Sequence, residues 1–84
     1  MLKRGQDLIA AGDVAGARLI LFRVSEGGDA EASLTLARTF DADVLARLNV
    51  VGAVPDATKA RALYAKAAGQ GSLEAKRRLD ESNR

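Results

Sequence analysis

The sequence predicts an all-α fold: an α–α superhelix, a right-handed solenoid of helical hairpins with about two repeats plus a capping helix. Three observations carry this. Residues 13–37 recur at 56–80 without a gap, so that Asp13, Ala17, Arg18, Gly28, Glu31, Ala32 and Leu36 fall on Asp56, Ala60, Arg61, Gly71, Glu74, Ala75 and Leu79. Apolar residues recur at i, i+3, i+4 and i+7, and no segment alternates with the period of two that a half-buried strand requires. Gly followed by Asp or Ser punctuates the periodic segments, at Gly12-Asp13, Gly28-Asp29 and Gly71-Ser72.

The first helix, 2–11, stops at Gly12, which takes the left-handed conformation past a helix end without a Cβ clash. Asp13 accepts bonds from the free amides of the next helix, 14–27, whose stripe is Ala17, Ile20, Leu21 and Val24. Asp29 caps helix 30–40, with Glu31 in the first turn, where the positive end of the helix dipole favours a carboxylate. Leu36 and Phe40 form its buried edge, and small Ala32 and Ala37 let a partner helix cross closely. Pro55-Asp56 opens helix 57–69, whose stripe of Ala60, Leu63, Tyr64 and Ala67 repeats that of 14–27. Helix 73–82 follows Ser72, and the polar run from Lys76 to Arg84 suits an end cap. The repeat units fall near 2–28 and 29–71, with the capping helix at 72–82.

One segment breaks the repeat. Across 41–55, Val44, Leu45 and Leu48 predict a short helix near 42–48, and Val50, Val51 and Val54 follow, with Gly52 and Pro55 limiting regular structure. So apolar a connector is expected to fold back onto the domain.

Composition narrows the function. At 84 residues the chain makes one small domain with a thin stability margin. Ala supplies much of its 48% hydrophobic content, and two Phe and one Tyr are the only aromatics, which predicts a shallow, extended core. Cys and His are both absent, removing thiolate chemistry, disulfides, the commonest general base and the commonest transition-metal ligand. Asp41 and Asp43 stand too close along one turn for a catalytic pair, and Gly27-Gly28 and Gly69-Gln70-Gly71 lack the strand and spacing of a phosphate loop. No catalytic residue, metal, cofactor or small-molecule substrate is therefore expected. No stretch has the length of a membrane span, and a net charge of +2 is too small to argue for nucleic acid.

The run from Lys59 to Ala75, with Lys59-Ala60, Tyr64, Lys66-Ala67-Ala68, Gly71 and Ala75, resembles the signature of Sel1-like repeats, relatives of the tetratricopeptide repeats with a longer inter-helix loop. Ala32, Leu36, Ala37 and Phe40 match the first helix of that pattern, and Val54 and Asp56 the end of its loop. Residues 5–29 resemble a plainer tetratricopeptide unit through Gly5, Leu8, Gly12-Asp13, Ala17, Leu21 and Val24. The connector is longer and more apolar than the family's loop. The match also leaves helix 2–11 short by about a turn, so a piece of a longer protein is expected.

The resemblance implies a non-catalytic protein-interaction or scaffolding module, whose first helices line a groove for an extended peptide. Gln6, Glu31, Arg38, Asp41, Glu74 and Arg77 would then point into it, with Arg38 and Arg77 able to grip a carboxylate bidentately. The plainer alternative is a solvated charged face, with Asp41 a helix cap and Tyr64 a core aromatic with its hydroxyl at the edge. Leu19 and Phe22 add a second apolar face to helix 14–27, where the other copy has Ala62 and Ala65. The connector, or helix 2–11 through Leu8 and Ile9, is expected to cover it; otherwise it serves self-association, as a homo-oligomer, or a partner. The alternative function is a small helical nucleic-acid-binding domain using Arg77 and Arg78. The expected location is cytoplasmic for a complete chain and periplasmic for a piece of an exported protein.

Overall fold

The computed structural model describes residues 2–50 and 52–82, which form six helices: α1 Leu2–Ala10, α2 Val14–Glu26, α3 Ala30–Arg38, α4 Ala42–Leu48, α5 Ala57–Gly69 and α6 Leu73–Ser82. The fold is all-α, with no strand among the described residues. Val51, and Asn83 and Arg84 at the end of the polar tail, lie outside them. No helix among the described residues is long and apolar enough to cross a membrane.

The boundaries form by the capping chemistry written in the sequence. Oδ1 of Asp13, Asp29 and Asp56 accepts from the amides of Gly16, Ala32 and Lys59 at 2.9, 3.1 and 3.0 Å. Ser72 Oγ accepts from the Ala75 amide at 3.1 Å. Gly12, Gly28 and Gly71 have φ of +88°, +96° and +112°, a region that strains any residue with a Cβ. Helix 30–40 ends two residues early, at Arg38. There the amides of Thr39 and Phe40 bond to the carbonyls of Leu36 and Ala37 at 3.1 Å, the i to i−3 pattern that tightens a last turn.

The helices pack in chain order about α3: α1 pairs with α2, α2 with α3, α3 with α5 and α5 with α6, while α1 also touches α3. Gly5 sets the first contact. A Cβ there would stand 2.7 Å from Cγ of Leu21, so α1 approaches α2 as closely as it does only because no side chain intervenes. Two apolar clusters share α3. One joins Leu34 and Ala37 to Ala60, Tyr64, Ala67 and Ala75; the other joins Ala32 and Leu36 to Ala17 and Leu21. Phe40 and Leu63 pack against both. With α2 on one side and α5 on the other, every residue from Ala32 to Ala37 is buried. A single-stripe reading of α3 therefore misses Leu34, which is 1% exposed.

The connector folds back onto the domain, with Leu45 buried, but not over Leu19 and Phe22. The Asp56 amide donates to the Phe40 carbonyl at 2.9 Å, so its two ends meet and α4 loops out between them. Val44, Leu45 and Leu48 of α4 share one cleft with Gln6, Ile9, Val14 and Thr35. Val44 and Leu48 share a second with Leu34, Arg38, Glu74 and Arg77. The connector thus faces α1, α3 and α6 across these clefts, and α1 turns Leu8 and Ile9 into the cluster around Leu21. Neither covers Leu19 and Phe22, which remain 72% and 53% exposed. The cause is at Asp41, whose bonds to α5 and α6 direct the chain away from that face.

Candidate interaction surfaces

Leu19 and Phe22 open onto a groove of about 420 Å³, whose other lining residues include Leu36, Phe40, Ala62 and Leu63. It runs between α2 and α5. At one end Arg18 lies over the Phe40 ring, 3.9 Å from its centroid, and Lys59 stands 5.4 Å from the same centroid. Arg18 also holds the connector: it donates from Nε to Thr39 Oγ1 at 3.2 Å, and from Nη2 to the Thr39 carbonyl and, at 3.1 Å, to the Val54 carbonyl. Burial lowers its pKa from the ordinary guanidinium value. One turn beyond Phe22 and Leu63, Lys66 pairs with Glu26 at 3.3 Å and ties α5 to α2.

The six residues assigned to a peptide groove divide among several places. Gln6 lines the cleft between α4 and α1, Glu74 and Arg77 line the cleft between α4 and α6, and Arg38 lines both. The second cleft has a volume of about 440 Å³ and also takes in Arg47 and Arg78. Arg38 pairs with Glu74 across it, joining α3 to α6. Glu31 is exposed outside both clefts. Asp41 is 6% exposed and faces the protein's own side chains.

Asp41, expected in the groove or, more plainly, as a helix cap, is the centre of a polar cluster. It does cap α4, accepting from the Asp43 amide at 3.0 Å. Its Oδ2 also accepts from the Tyr64 hydroxyl at 2.7 Å and from Arg78 Nε at 3.0 Å, and Oδ1 accepts from Arg78 Nη2 at 3.2 Å. Arg78 reaches Asp43 at 3.1 Å and Glu81 at 3.8 Å as well. Burial alone would push the Asp41 carboxyl up, but the bonds from Tyr64, Arg78 and the Asp43 amide outweigh it and hold the carboxyl below its usual range. Burial, and then the bond to Asp41, push the Tyr64 hydroxyl up to about 12. The bidentate bond to Asp41 raises the pKa of Arg78, whose charge is committed to this cluster. The signal was present in the sequence as Tyr64 in a core stripe, since a buried phenol needs an acceptor.

A second polar contact went unread. Ser25 and Ser33 are buried with their hydroxyls 2.6 Å apart, and Gln70 joins them, accepting from Ser33 Oγ and donating from Nε2 to the Ser25 carbonyl at 3.1 Å. It ties the ends of α2 and α5 to the start of α3. Among the described residues no buried side-chain oxygen or nitrogen lacks a partner. Compared with protein-family models, with curated proteins and with solved structures, the chain finds no significant match.

Proposed function

We propose that this domain is a non-catalytic protein-interaction or scaffolding module built of helical repeats and working as part of a larger protein. One observation carries the reading: Leu19 and Phe22, 72% and 53% exposed, stand side by side at the mouth of an apolar groove that no segment of the domain occupies among the described residues. Scattered exposed apolar residues need no explanation, but a contiguous apolar face with a groove behind it marks a binding surface. The resemblance to Sel1-like and tetratricopeptide repeats supports the same class. So does the equivalence of the copies: Ala17 and Leu21 of α2 and Ala60 and Tyr64 of α5 are buried at matching positions. Helical hairpins succeeding one another in this way suit a superhelix that offers its surfaces to a partner.

The test uses a photo-crosslinking amino acid at position 19 and, as control, at exposed position 31, with the protein incubated in an extract of its source cells. A module of this kind gives a discrete adduct from position 19 that the control lacks. Identical adduct patterns from the two positions would refute the reading.

A further inference from the structure

The same groove has a charge pattern that chooses its occupant. Its lining is apolar apart from two cations, Arg18 and Lys59, both placed at the Phe40 end. Arg18 is half-buried, and its contacts are the Phe40 ring, the Thr39 hydroxyl and the carbonyls of Thr39 and Val54. These are neutral groups. No carboxylate among the described residues forms an ion pair with Arg18 or Lys59. A guanidinium withdrawn from water without a counter-ion is electrostatically incomplete, and an incoming carboxylate recovers more there than at an exposed site. One turn beyond Phe22 and Leu63, Glu26 is already held by Lys66, and at the cation end Asp56 is engaged as the cap of α5 by the Lys59 amide.

We propose that this groove docks an amphipathic helix of a partner protein, with its apolar ridge on Leu19, Phe22 and Leu63 and a carboxylate at the Arg18–Lys59 end. The inference rests on the interaction-module reading above and adds the chemistry of the partner. A second copy of this chain fits less well. In a twofold contact the face meets itself, so it brings two further cations and no carboxylate among the groove's lining residues. Helix-in-groove recognition uses anchors at i, i+3 or i+4 and i+7, which matches an apolar floor shared by two side-by-side helices.

The probe is a displayed library of amphipathic helices with Leu fixed at i, i+4 and i+7 and the flanking positions varied among Glu, Gln and Lys. It is selected on the full chain, on Lys59→Glu and on Phe22→Asp. Lys59 and Phe22 are exposed, so both variants keep the fold, as circular dichroism checks. We expect Glu-flanked helices to be enriched about tenfold over Lys-flanked ones on the wild type. That preference falls or inverts on Lys59→Glu, and enrichment disappears on Phe22→Asp. Enrichment that needs Phe22 but ignores flank charge would overturn the acidic partner while leaving the interaction module standing. No enrichment on the wild type would overturn both. Sedimentation of the wild type as a dimer that Phe22→Asp dissociates would assign the face to a second copy and overturn the proposal.

Discussion

Two residues show how little slack the domain has. Gly5 is buried in α1 where Leu21 leaves no space for a methyl group. Ala is the better helix former, worth roughly 1 kcal/mol in an exposed helix, yet here the clash dominates and Gly5→Ala should destabilise by about 1–3 kcal/mol. Urea denaturation measures this directly, and a stabilised variant would show that α1 sits further from α2. Tyr64 supplies the second case. Its hydroxyl is pushed up to about 12 from 10.0, so the folded state keeps this proton after the unfolded chain has lost it. The group's contribution is therefore complete below pH 10 and is lost as the pH rises through 12. Tyr64→Phe should cost about 1 kcal/mol at neutral pH. The difference in stability between wild type and variant should then shrink across that alkaline window, as parallel melts at pH 8 to 11 would reveal. Asp41 acts with the opposite sign, its contribution present above the ordinary carboxylate range and lost in acid.

Among the elements, the existence of each was legible in the sequence, but the placement of the one held by a polar cluster was not. Asp13, Asp29 and Asp56 act through bonds three residues away, and such local chemistry needs no knowledge of the fold. The existence of α4 followed from Val44, Leu45 and Leu48, but its side of the domain depends on Asp41 meeting Tyr64 and Arg78, 23 and 37 residues along the chain. Nothing in periodicity ranks that contact above apolar packing on Leu19 and Phe22. The same blindness scattered the six groove residues. Gln6, Arg38, Glu74 and Arg77 line two clefts rather than one groove, and α4 stands between those clefts as a ridge. α4 makes few backbone approaches to the other helices and is anchored mainly at its N-terminus. Asp41→Ala should thus release it: the amides of Ala46 to Asn49 lose protection in hydrogen exchange while those of α3 and α5 keep most of theirs. Equal loss throughout would mean that α4 folds as one unit with the core.

At the scale of the molecule, the domain combines a small core with a large unprotected apolar face, and one helix carries both. Leu21 is fully buried and Leu19, two residues away on α2, is 72% exposed. Leu21→Ala should cost about 2–5 kcal/mol. For a chain of this size that is a large part of a total stability of roughly 4–12 kcal/mol. Leu19→Ala, the same chemical change, should stay within about 0.5 kcal/mol, because its side chain leaves water neither on folding nor in the isolated domain. The contrast also reports on assembly. If a second copy covered Leu19 in solution, folding would be coupled to association, so the wild-type midpoint would rise with protein concentration and Leu19→Ala would weaken that dependence. Denaturation at two concentrations a hundredfold apart decides between these cases. A midpoint that stays fixed for wild type and Leu19→Ala alike shows the face open in the free domain, as a partner from another protein requires.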